Sequence, residues 1–191
     1  MCEASPTNAA EVAKRLAELL AARQQEYALG GAIALGYWGV PRGTVDVDVT
    51  LYLAPERPSE CAWLLQEIGC EFSLANAADS LREHGFCRVA FLGTQVDIFL
   101  PTVPFYAAAK ERRKLVDLGG QPVLVWDAET LSVFKLMFFR SKDLADAEQV
   151  LRTQGRDLDR TWIREQLLSM YGPRDPRLAA WEDLTKDVPP L

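Results

Sequence analysis

The side chains best suited to chemistry in this 191-residue chain are three aspartates, near two glycines. Asp46 and Asp48 stand two residues apart in Arg42-Gly-Thr-Val-Asp-Val-Asp-Val-Thr-Leu-Tyr-Leu53, a run whose alternation reads as a β-strand. That alternation turns Val45, Val47, Val49 and Leu51 toward a core and leaves Asp46, Asp48 and Thr50 together on the opposite face. Aspartate is a poor strand former, and two like charges about 7 Å apart on one face repel each other unless a cation neutralises them. A divalent ion would do so. The alternative is a solvated outer face, for which Thr, Lys or Glu is the commoner choice.

A third carboxylate lies downstream in Thr94-Gln-Val-Asp-Ile-Phe-Leu100, where Val96 and Ile98 face inward and Asp97 faces away. If the two strands are neighbours, the three carboxylates converge. They then form a hard-oxygen ligand set suited to one or two Mg²⁺ ions, which complete their shells from phosphate and water. Upstream, Gly30-Gly31 joins a short strand, Tyr27 to Leu29, to an apolar segment, Ala32 to Trp38. A strand ending on glycine at a helix N-terminus is a geometry that holds phosphate, although a plain tight turn uses the same residues.

The elements that must position these groups follow from the spacing. Asn8 caps a first helix through about Gln25, with Val12, Leu16, Leu19 and Leu20 on one face. Helices are predicted from Pro58 to about Ile68 and from Asn76 to His84, the latter closed by Gly85. Phe86 to Phe91 and Gln95 to Leu100 form a hairpin around Gly93-Thr94. A helix from Val103 to Lys114, strands at Lys114 to Leu118 and Pro122 to Trp126, and three or four helices complete the chain. The mixed order predicts an α+β fold with a helical C-terminal region. The only terminal looseness falls on Asp187-Val-Pro-Pro-Leu191.

Composition narrows the field. The net charge is −6, so the field of the whole molecule does not gather nucleic acid. The run Lys110-Glu-Arg-Arg-Lys114 is the best local candidate for such a patch, and a solvated helix face is the commoner meaning of such a run. Cys2, Cys61, Cys70 and Cys87 make no C-x-x-C pair and have no histidine at ligand spacing, which argues against zinc and redox motifs. Scattered thiols, the lack of a signal sequence and the lack of a spanning apolar run predict a cytoplasmic protein with no membrane association.

The series Gly30-Gly31, Arg42, Thr44, Asp46-Val-Asp48 and Asp97 resembles the signature of the nucleotidyltransferase superfamily related to DNA polymerase β. More narrowly, Gly30 through Asp48 resembles the stand-alone bacterial nucleotidyltransferase-like proteins of the AbiEii toxin group. Their later Lys…Arg…Lys/Arg-Asp-x-x-Asp motif is matched by Leu131-Ser-Val-Phe-Lys-Leu-Met-Phe-Phe-Arg-Ser-Lys-Asp-Leu-Ala-Asp146. The resemblance covers about Tyr27 to Leu151.

It implies a nucleotidyltransferase-fold mixed β-sheet flanked by helices, with a catalytic core over 1–126 and a helical region over 127–191 that completes the nucleotide site. It also implies a Mg²⁺-dependent transfer of an NMP from an NTP to a hydroxyl on tRNA, protein or a small molecule, and the narrower resemblance raises a toxin–antitoxin pair with a cognate antitoxin as its setting. Asp46, Asp48 and Asp97 would be catalytic and hold the metal, with Asp97 also accepting a proton. Gly30, Gly31, Arg42, Thr44, Lys135 and Lys142 would bind the nucleotide. In one continuous helix Lys135, Phe139, Lys142 and Asp146 would share a stripe, unless Ser141 starts a new helix. The competing reading is a nucleotide- or partner-binding module without turnover, since Ala32 stands where many active transferases have Ser or Thr.

Overall fold

The computed structural model describes residues 8–187. It divides into two compact units, one formed by the chain up to Ile33 together with Gly43–Val125, the other by Ala34–Arg42 together with the chain from Trp126 onward.

The first unit is built on a six-stranded mixed sheet in the order β3-β4-β2-β1-β6-β5. The strands are β1 (Tyr27–Leu29), β2 (Asp46–Leu51), β3 (Phe86–Phe91), β4 (Thr94–Phe99), β5 (Lys114–Leu118) and β6 (Gln121–Val125). β2 runs antiparallel to β1 and parallel to β4. β3 and β4 form an antiparallel hairpin, as do β5 and β6. Val47, Val49, Val96 and Ile98 are fully buried, each worth about 1.5–3 kcal/mol of hydrophobic stabilisation, and this anchors the register of the two strands that carry the aspartates.

Helix α1 (Ala9–Ala22) packs on β1, β2 and β6 through Val12, Leu16 and Leu20, and the Asn8 side chain caps it by accepting from the Ala10 N–H. It ends before Gln25 because Gln24 adopts a left-handed conformation (φ 54°). Helix α2 (Gly31–Trp38) follows β1, and α3 (Pro58–Glu67), α4 (Leu74–His84) and α5 (Phe105–Glu111) connect the later strands. α5 is shorter than predicted because Pro104 fixes its start and Lys114 already belongs to β5.

In the second unit, α6 (Ala128–Phe138) is capped by Asp127, which accepts from the Thr130 N–H at 2.8 Å, and its residues from Ala128 through Leu136 are all buried. It is followed by α7 (Ser141–Gln154), α8 (Arg160–Tyr171) and α9 (Pro176–Asp187), with Trp181 buried on α9. The α+β expectation and its helical C-terminal part agree with this architecture. The looseness predicted from 187 onward falls, beyond Asp187, outside the described residues. No helix among the described residues is long and apolar enough to cross a membrane.

Cys61, Cys70 and Cys87 are free and buried. Burial, with the neighbouring cysteines and Asp97 adding to it, pushes the Cys61 thiol far up and the Cys70 and Cys87 thiols to about 12. At pH 8 a thiol of pKa 12 is only about one part in 10⁴ thiolate. Iodoacetamide at pH 8 is therefore expected to leave all three unlabelled in the native protein and to label all three in guanidinium, with peptide mass mapping as the readout. Labelling of Cys87 in the folded protein would contradict this burial.

Candidate active site

The aspartate-bearing strands are neighbours. Parallel pairing sets Asp48 beside Asp97 and Asp46 beside Gln95, and residues paired in register project from the same face of a sheet. Asp46, Asp48 and Asp97 therefore share one face. Asp97 is 7% exposed, whereas the two β2 aspartates are half-buried.

Each carboxylate is held differently. The Thr44 hydroxyl donates to Asp46 Oδ1, and the Asp46 N–H returns a bond of 3.4 Å to Thr44 Oγ1, so Thr44 orients Asp46 locally. Asp48 lies against the glycine bend. The Gly30 N–H donates to the Asp48 carbonyl at 2.9 Å, and a Cβ built on Gly31 would stand 1.7 Å from Asp48 Oδ2. Gly31 has φ +50°, so glycine is required there twice over: for its backbone and for the room it leaves the carboxylate. Because the Gly30 N–H is spent on strand pairing, a phosphate at this bend would have to be met by the N–H groups of the first turn of α2, which a helix leaves without internal partners.

Asp97 is gripped by a residue that the sequence reading missed. Arg88 Nε donates to Asp97 Oδ1 at 2.8 Å and Nη2 donates to Oδ2 at 3.0 Å, a two-pronged pair. Asp97, through its hydrogen bonds and its charge, raises the Arg88 guanidinium above its ordinary pKa, and the charges of Asp46 and Asp48 add to this. The hairpin register carried the missing signal. Strands ending at Phe91 and beginning at Gln95 would set Arg88 opposite Ile98. The observed turn is Leu92-Gly93, both at positive φ (51° and 75°), which pairs Phe91 with Thr94 and Arg88 with Asp97. Leucine is a poor occupant of that conformation, so the tighter turn does not stand out in the sequence.

Val45 corrects the opening expectation. β2 begins at Asp46, and Val45 is 86% exposed rather than in a core.

The second unit carries the other sequence-predicted residues. Lys135, on α6, is 6% exposed and ion-paired to Asp146 Oδ2 at 2.7 Å and to Asp143 Oδ1 at 3.3 Å. Arg42 adds bonds to Asp146 of 3.2 and 3.4 Å, and Arg140 closes on Asp143. Burial pushes the Asp143 carboxyl up, but Arg140 and Lys135 together outweigh it and hold the group below its ordinary range. The single stripe of Lys135, Phe139, Lys142 and Asp146 does not form. Phe139 is left-handed (φ 56°), α6 stops there, and α7 starts at Ser141 with Lys142 exposed.

Two cations of the basic run at the end of α5 are committed within the fold. Lys110 and Arg113 both pair with Glu26, and Arg113 also donates to the Tyr27 carbonyl at 3.0 Å and lies over the Tyr52 ring. Lys110, chiefly by its hydrogen bond, holds the Glu26 carboxyl below its usual range.

The fold family implies a divalent metal at such a site. Three carboxylates on adjacent strands are the oxygen donors that Mg²⁺ prefers, and a guanidinium already serves as a cation among them. Among the described residues no three acidic, histidine or cysteine side chains stand at metal-holding geometry. The donor set fits the ion in kind, while Asp97 is turned onto Arg88.

No family model matches the chain, and no curated protein aligns with it in sequence. Solved structures match it by shape. The solution structure of the antibiotic-resistance factor ANT(2'')-Ia superposes with a TM-score of 0.58 at 13% identity, covering 85% of this chain and 92% of that one. The crystal structure of ANT(2'')-Ia in complex with adenylyl-2''-tobramycin gives 0.52 at 14%, covering 89% and 94%. An antigenic nucleotidyltransferase-like protein from Paracoccidioides brasiliensis gives 0.53 at 15%, covering 91% and 93%. The chain therefore has the nucleotidyltransferase fold, a mixed six-stranded sheet with flanking helices.

Proposed function

We propose that the protein transfers a nucleoside monophosphate from an NTP to a hydroxyl of an acceptor, with release of pyrophosphate. The observation that carries this is the row of Asp46, Asp48 and Asp97 on one face of β2 and β4, with the Asp48 carboxylate packed against Gly31 at the start of α2.

In that reading the first-turn N–H groups of α2 hold phosphate oxygens, and Asp46 and Asp48, with Asp97 completing the set, would hold the divalent ion, Asp46 oriented by Thr44. Bound there, Mg²⁺ would supply charge neutralisation at the phosphates. The acceptor oxygen bonds to the α-phosphorus, the bond to the bridging oxygen of the β-phosphate breaks, and the hydroxyl proton passes to the Asp97 carboxylate. Nucleotide-binding roles for Arg42, Lys135 and Lys142 rest on the family resemblance alone, as does a toxin role with a cognate antitoxin.

For the acceptor we favour a small polyhydroxylated molecule over tRNA. The aligned ANT(2'')-Ia complex carries adenylyl-2''-tobramycin, and two of the four cations in the basic run that RNA would need, Lys110 and Arg113, are paired with Glu26. Purified protein with Mg²⁺, each α-labelled NTP and a panel of hydroxyl acceptors is expected to release pyrophosphate and label an acceptor. Asp48→Asn should lower this by about 10³-fold, the scale of losing a positioned charge at the reacting centre. Transfer undiminished in Asp48→Asn would remove the site assignment, and NTP binding without pyrophosphate release would favour the binding-module reading.

A further inference from the structure

We propose that Arg88 is the resident counter-ion of the carboxylate row: it holds Asp97 in an ion pair that a divalent cation must displace, and so sets how tightly the site takes metal. This rests on the metal-site reading above.

Both prongs of the guanidinium are used on Asp97, at 2.8 and 3.0 Å, so both carboxylate oxygens face Arg88. A carboxylate held in this way is a weaker ligand and a weaker base than a free one, because the guanidinium already stabilises its charge. For Asp97 to take part in holding a cation or accepting a proton, Arg88 has to give way.

The two partners differ in freedom. The Asp97 side chain is 10% exposed and fixed in the sheet, whereas the Arg88 side chain is 56% exposed on edge strand β3. Arg88 also has somewhere to go. It borders an open cleft of about 560 Å³ between α4 and β3, lined among others by Asn76, Ser80 and Gln95. With the Gln95 amide turned so that its carbonyl faces the strand, that oxygen lies 3.0 Å from Arg88 Nε and 3.2 Å from Nη2. Gln95, two positions along β4 from Asp97, is thus a second acceptor for the guanidinium where it already lies, and would keep a partner on it when the Asp97 carboxylate turns to a cation. Arg88 is a positioning residue acting through Asp97, and its pair keeps three like charges tolerable until a cation arrives.

The test is Mn²⁺ titration by calorimetry, without nucleotide, into the wild type, Arg88→Met, Arg88→Lys and Asp48→Asn. Removing one positive charge beside the site is expected to tighten Mn²⁺ binding by about tenfold in Arg88→Met. Arg88→Lys, which keeps the charge but loses the fork, is expected to fall between Arg88→Met and the wild type. A purely structural role for Arg88 would leave affinity unchanged or weaken it. Unchanged or weaker binding in Arg88→Met, with the wild type binding and Asp48→Asn not, overturns the counter-ion role and leaves the metal site standing. Absence of Mn²⁺ binding by both the wild type and Arg88→Met at millimolar concentration overturns the metal site, and the counter-ion role with it. Should Arg88→Met fail to fold, Arg88→Lys decides: affinity no higher than the wild type overturns the proposal.

Discussion

Lys135→Met is expected to destabilise the protein by about 3 kcal/mol, read as a lower urea midpoint at unchanged slope. Lys135 Nζ is the buried cation between Asp146 at 2.7 Å and Asp143 at 3.3 Å, whose side chains are 7% and 0% exposed. Methionine replaces the aliphatic stem and removes only the charge, so two carboxylates stay buried with less compensation. Arg42 and Arg140 remain on them, but their side chains are 42% and 56% exposed and partly hydrated, which places the expected loss at the lower end of the about 3–5 kcal/mol seen when a buried pair is broken. The companion variant Lys135→Met/Asp146→Asn should recover part of the loss, because it removes the stranded charge. A Lys135→Met protein that unfolds at the wild-type midpoint would mean that the network contributes nothing to stability.

Gly31→Ala is expected to lower nucleotidyl transfer by at least about 10²-fold, the cost of displacing a positioned group by about 1 Å. The added methyl would stand 1.7 Å from Asp48 Oδ2 and 2.6 Å from its Cγ, so the carboxylate has to leave its place. Alanine at φ +50° also strains the backbone by about 1–2 kcal/mol. A control separates the two effects. Gly119 has φ +56°, and its nearest neighbour to an added Cβ is the flexible end of Lys14 at 3.4 Å, so Gly119→Ala carries the backbone strain without touching the aspartates. Gly119→Ala should lose stability and keep transfer, whereas Gly31→Ala should lose both. Wild-type transfer by a folded Gly31→Ala protein would show that the position of Asp48 is not what the reaction uses.

Much of the fold was legible because it rests on local rules. Asn8 reads as a cap, and Asp46, Asp48 and Asp97 read as the outward members of apolar strands, because side-chain direction alternates along an extended chain whatever surrounds it. Gly31 reads as the residue between strand and helix because no other residue takes its backbone angle cheaply. Val45 misled because periodicity gives direction but not where a strand begins.

The sequence by itself determined which residues alternate, where glycine is needed and which carboxylates are available, since these depend on each residue and its immediate neighbours. Only the tertiary structure decided that β2 lies beside β4, that a left-handed Leu92 sets Arg88 against Asp97, and that a left-handed Phe139 ends α6, with Asp143 and Asp146 of α7 against Lys135. Those pairings bring together residues from separate elements through turns in conformations that their side chains disfavour. The packing of the folded chain, rather than local preference, supplies the free energy that holds them.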